Sequence, residues 1–237
     1  MQQNPVLLLL KSVFYAVLAT VLVILCTMWL SKYIEYDRER QAINQALRAK
    51  AGDIISYAGV IRQIVTQMAD HAGDTNALDF TRPEDISRND EIILENNVFV
   101  PKGGGIILID LPGLEILNTV NDGIPPGWYL GRFNDVAWRE GGDRDDDIML
   151  AAYKISPALC RELNRRLTGQ ETISQADERL ARLFVNGQKE GTDEKIHRLG
   201  NTDLTEEVCP RCRNRNALCV QEKGKDIFAF YVSVTAQ

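Results

Sequence analysis

Residues 12–30, SVFYAVLATVLVILCTMWL, carry no charged side chain and constrain this chain more than any other stretch. A helix needs roughly 20 consecutive apolar residues to cross the hydrocarbon core of a bilayer, and this run supplies that length. A cleaved secretory signal would place a shorter apolar core behind a basic segment and end it in small residues. Here apolar residues precede Lys11, and the run leaves through Met28, Trp29, Leu30 and Ser31. Trp29 and Tyr33 suit the aromatic belt of a retained helix. The pattern predicts a short N-terminal segment at 1–11, a transmembrane helix at 12–31, its extramembrane continuation at 32–72 and one globular domain at 73–237.

The continuation has its own signature. Leu47, Ala51, Ile54, Ala58, Ile61, Val65 and Met68 recur at alternating spacings of four and three, which draws one narrow apolar seam along a helix. A coiled coil could use such a seam, but alanine at several of its positions favours packing on the domain's own sheet. At 1.5 Å per residue the extramembrane part would run about 60 Å, with Gly73 as its stop.

Strand signals follow. Residues 98–100 and 106–109, joined by Pro101, Lys102 and Gly103 to Gly105, read as a hairpin. The glycine triplet is a turn and not a phosphate loop, because neither GK[ST] nor a helix follows it. Residues 114–117, 128–133, 148–155 and 226–236 read as further strands, and 188–207 as polar loop. Ser156-Pro157 opens a short helix that Gly169 closes, and 174–185 reads as a second one. The expected class is α+β: a long N-terminal helix, half transmembrane and half extramembrane, packed on an antiparallel β-sheet.

Chemistry-bearing patterns are few. Asp143, Asp145 and Asp147 alternate like the opening of a calcium loop, but Ile148 and Lys154 stand where an EF-hand needs glycine and glutamate. A solvated turn is the default there, and a calcium site of another kind the alternative. No nucleophile sits in a motif with a base, and no carboxylate spacing singles out an acid–base pair, so no catalytic residue is assigned and an enzyme is not expected. Only His71 and His197 are present, which argues against a histidine-rich metal site. A net charge of −6 without a basic stripe argues against nucleic acid as partner.

Cys26 lies in the apolar run, where a small apolar residue is explanation enough. Cys160, Cys209, Cys212 and Cys219 form an even set toward the C-terminus and admit three readings. They could be structural disulfides, a four-thiolate zinc site, or a redox pair in Cys209-Pro210-Arg211-Cys212. The zinc reading lacks a second CxxC, and the redox reading lacks a following helix, since 213–216 looks like a loop. Disulfides, and with them an oxidising compartment outside the cytoplasm, are favoured. Basic residues on the two sides of the run, Lys11 against Lys32, Arg38 and Arg40, do not decide orientation.

This layout resembles the type IV pilin and pseudopilin superfamily. The likeness is carried by Ile54-Ile55-Ser56-Tyr57-Ala58, by Val98-Phe99-Val100-Pro101-Lys102 with its glycines, and by Ile155 to Asn164 followed later by Cys219 and Phe228-Ala229-Phe230-Tyr231-Val232. The resemblance implies a bridge from Cys160 on the short helix to Cys219 before the final strand, leaving Cys209 for Cys212 and a disulfide-stapled C-terminal region. It implies a structural or assembly component of a type IV pilus or type II secretion-like system. Such a component sits single-pass in the inner membrane with a periplasmic domain, beside other pilin-like subunits or assembly-platform proteins. Family members carry a leader ending in glycine and a glutamate at the fifth mature position. This run contains neither, so the expectation is an accessory subunit or a relative that stays in the membrane. The alternative is a membrane-anchored extracytoplasmic binding module with a four-cysteine zinc site or a ligand site.

Overall fold

The computed structural model describes residues 5–83, 94–111, 122–134, 136, 147–185 and 202–234, with the side chains of 5–13, 15–17 and 19 outside that set. The chain forms two compact units, Met1–Arg48 and Ala49–Gln237. Helix α1, Pro5–Ala72, contributes to both. After Pro5 it contains no proline, so nothing interrupts its hydrogen-bond ladder. Gly73 ends it at φ 73°, a left-handed conformation that glycine adopts without steric cost.

In the first unit α1 exposes Leu18, Val21, Leu22, Val23, Ile24, Leu25, Met28, Trp29 and Leu30. The rings of Trp29 and Tyr33 stack at 5.8 Å. Among the described residues no helix is long and apolar enough to cross a membrane. The transmembrane half expected at 12–31 is therefore not shown by these residues.

The second unit is built on a five-stranded sheet in the order β1-β2-β5-β4-β3. Its strands are β1 Gly127–Asn134, β2 Asp147–Tyr153, β3 Ser174–Ala176, β4 Ala217–Glu222 and β5 Phe228–Ser233. Neighbours run antiparallel except β3 and β4, which run parallel. The expected antiparallel sheet is thus corrected to a mixed one. The difference comes from residues 174–185, read as one helix: they divide into edge strand β3 and the short helix α3, Leu180–Phe184. Strand β4 was not anticipated at all.

The hairpin expected at 98–109 is also corrected. Those residues form a compact loop in which Gly103 and Gly105 donate to the Val100 carbonyl, Gly104 to that of Asn97, and Ile106 to that of Val98. A Cβ on Gly103 would fall 2.1 Å from the Asn97 oxygen, and one on Gly104 2.5 Å from that of Val98. The glycines are there because backbone passes over backbone. Residues 114–117 lie outside the described set.

Alternation along the strands sorts the core onto two faces. One face carries Trp128, Leu130, Ile148, Leu150, Ala152, Cys219, Phe228 and Phe230. It receives α1 through the Tyr57–Trp128 ring contact at 5.0 Å and helix α2, Pro157–Thr168, through Cys160. The other face carries Tyr129, Met149, Ala151, Tyr153, Leu218, Val220, Ala229 and Tyr231, clustered with α3, Leu204, Cys209 and Cys212. Both faces being covered explains why β2 and β5 read as near-continuous apolar runs.

Candidate functional site

Most of the α1 seam lies in the second unit, where Ala51, Ile54, Ala58, Ile61 and Val65 are buried and Met68 is partly so; Leu47 belongs to the first unit. Gly52 lets the Arg166 guanidinium of α2 lie against the helix, since a Cβ there would meet Nη1 at 3.1 Å. On an adjoining face Tyr57 donates its hydroxyl to the Ile107 carbonyl (2.7 Å) and accepts the Ile109 amide (3.2 Å). Burial pushes the Tyr57 phenol above its usual pKa, with the Ile109 hydrogen bond pulling the other way. Segment 106–110 is thereby strapped along α1 with Ile107 and Ile109 turned outward, 78% and 52% exposed.

The four C-terminal cysteines form two disulfides, Cys160–Cys219 and Cys209–Cys212. The first ties α2 to β4. Ser156 caps α2 by accepting the Leu159 amide, and Gly169 closes it at φ 76°. Buried Asn164 then grips β4 beside the bridge, accepting the Cys219 amide and donating to its carbonyl, both at 2.8 Å. The second disulfide closes a turn whose sulfurs are fully buried while Pro210, Arg211, Arg213, Asn214 and Arg215 stay exposed. With all four sulfurs engaged, no thiolate remains for a four-cysteine zinc site.

Sequence reasoning missed one polar cluster. Lys154, 5% exposed, stands at φ 61° just beyond β2. Its ammonium donates to Asp122 Oδ1 and to the Ile124 carbonyl, each at 2.6 Å. Tyr153 donates to Asp122 Oδ2 at 2.6 Å. Burial works to raise the Asp122 pKa, but the hydrogen bonds from Lys154, Tyr153 and the Ile124 amide outweigh it and hold the carboxyl below its usual range. Burial, then the Asp122 hydrogen bond, pushes the Tyr153 phenol far up. The left-handed backbone at a lysine was the only hint available, and φ cannot be read from sequence. These hydrogen bonds hold the 122–127 turn against β2, so the cluster acts as a clamp.

Asp147, expected in the calcium loop, accepts the Val136 amide at 3.0 Å, while Asp143 and Asp145 lie outside the described residues. Among the described residues no group of histidine, cysteine or carboxylate side chains is arranged to hold a metal ion. What the described surface offers is contact area: outward isoleucines beside α1 and an arginine-bearing turn beyond the sheet. Comparison of the chain with family models, with curated proteins and with solved structures gave no match.

Proposed function

We propose that this chain is a membrane-tethered structural subunit of the pilin or pseudopilin kind, serving a type IV pilus or type II secretion-like assembly. Its anchor lies in the inner membrane and its disulfide-bonded domain on the periplasmic side. Its work is packing against other subunits or an assembly platform, and it does no bond chemistry.

The observation that carries the reading is the contrast within α1. Residues 21–25 are five consecutive exposed apolar side chains, and at about 100° per residue they reach every side of the helix. A helix apolar all round needs a lipid or protein environment on all sides. With the uncharged residues 12–19 added, the run has the length of a bilayer crossing. Further along, the same helix buries a seam in an α+β domain whose α2–β4 disulfide precedes the final strand, the arrangement pilin-like proteins share. Two disulfides suit an oxidising compartment.

The test is fractionation of the full-length chain from native membranes, with non-reducing peptide mapping and native-gel sizing of the extracted protein. The reading expects resistance to alkaline extraction, the two bridges, and migration as a multi-copy or multi-subunit species. A chain released by alkali, or one with four free thiols, contradicts it.

A further inference from the structure

The strap along α1 also orients a length of main chain. Residues 103–109, GGGIILI, carry no charge, and 106–110 form neither helix nor paired strand. One hydroxyl, that of Tyr57, reaches both the Ile107 carbonyl and the Ile109 amide. Main-chain groups two residues apart face the same way in an extended chain. Burial alternates to match: Ile106 is buried, Ile107 exposed, Leu108 half-buried and Ile109 exposed. The main-chain groups of Ile107 and Ile109 are therefore turned to α1, and those of Leu108 and Asp110 to the opposite edge.

That opposite edge is begun and then left. The Ile106 amide donates to the Val98 carbonyl at 2.9 Å. Beyond it, among the described residues, nothing bonds to the amide or carbonyl of Leu108 or of Asp110. Asp110 is exposed, and its carboxylate has no ion-pair partner among the described residues. An unpaired main-chain edge beside outward apolar side chains is a template for another strand, and folds usually blunt one with charge or proline. Residues 103–109 contain neither.

We propose that this edge takes up an extended, cationic segment of another protein, which adds to it as an antiparallel strand. Leu108 and the residue facing it exchange both main-chain hydrogen bonds. The residues on either side of that one stand opposite Ile107 and Ile109, so they are β-branched and apolar. The residue two positions before it stands opposite Asp110 and is lysine or arginine. Main-chain bonds supply the affinity and alternate side chains the specificity. The Tyr57 hydroxyl holds the receiving segment in place beforehand, so little ordering is lost on binding. A net charge of −6 favours a cationic partner over a second copy of this chain. The edge lies wholly in the second unit and needs no membrane anchor, so it stands apart from the subunit reading.

The probe is the acetylated, amidated peptide KVTVTVK, offered to the full-length chain in detergent micelles. Saturable binding is expected. Hydrogen exchange at the Leu108 and Asp110 amides should slow about tenfold or more, while that at Ile109, already held by Tyr57, should not change. Methylating the peptide's threonine amides, which face Leu108, should abolish binding; methylating its valine amides, which face away, should spare it. The wild-type chain carries this comparison, so no variant's folding enters it. Ile107→Ser with Ile109→Ser is expected to weaken binding at least about tenfold, and Asp110→Asn up to about fivefold. No binding, or the same response to both methylation patterns, overturns the proposal. So does slow exchange at Leu108 and Asp110 before peptide is added: in a dimeric chain the edge is already taken by a second copy, and in a monomeric one by the chain itself.

Discussion

The first unit's stretch of α1 and the second unit's are one helix by backbone but two by side chain. Residues 21–25 show apolar groups on every side, while from Ala51 to Val65 apolar burial narrows to a seam stepping by three and four. The backbone geometry is the same, so the difference lies in what each side chain must face. The seam is matched to one protein surface, and Ala51 and Ala58 in it allow close approach. The upstream stretch has no preferred side: its apolar residues 21–25 are exposed all round the helix.

The comparison can be broken most forcefully at the upstream stretch. Val23→Lys with Leu25→Lys is expected to weaken membrane retention by about 6 kcal/mol, at roughly 3 kcal/mol per lysine. The domain's disulfides and circular dichroism should stay unchanged. Membrane fractionation checks the first part and peptide mapping the second.

The next effect belongs to the second unit alone. Asp122→Ala takes the carboxylate away from the buried Lys154 ammonium and is expected to destabilise the domain by about 3–5 kcal/mol in denaturant titration, with membrane retention intact. The same carboxylate gives a signed pH dependence. Its folded pKa lies below the ordinary value of about 3.9. Its contribution is therefore fully present above that value and is lost as pH falls through the depressed folded one. Asp122→Asn should flatten that part of the acid-unfolding curve.

The disulfides sharpen the picture within the domain. Cys160–Cys219 spans a sequence separation of 59 and Cys209–Cys212 one of 3. In the chain-entropy account, replacing the first pair by serine costs about 4 kcal/mol and the second under about 2 kcal/mol. Thermal unfolding of the two double variants checks the order. Smallest is Ile61→Val in the seam, expected to cost about 1 kcal/mol of domain stability. Leu25→Val, which removes the same methylene upstream, should leave domain stability unchanged.

Much of this was legible in the sequence because it is local. The seam's spacing, Gly73 as a stop, and Ser156-Pro157 with Gly169 around α2 are signals within a few residues of what they specify. The strands at β1, β2 and β5 announced themselves through apolar and aromatic runs. What was missed depends on distant partners. Residues 174–176 are a strand only because Val220 to Glu222 lie alongside them. Strand β4 itself is short, and its Cys219 drew attention to bonding and away from pleat. The glycine triplet looks like a hairpin turn until Asn97 is seen packed against it. Lys154 sits inside what reads as one continuous strand, and its partner Asp122 is 32 residues away. The outward isoleucines had been counted as strand, and the arginine turn as ordinary loop.

Cys26 allows the most direct test of the central claim, since it is the one cysteine outside the two disulfides and lies within the apolar run. Intact native membranes and detergent-solubilised protein would be treated with a membrane-impermeant maleimide, and the labelling rate of Cys26 compared. The account predicts a thiol protected in membranes and labelled once detergent is added. Equal labelling in both, or recovery of the chain in the soluble fraction, would contradict it.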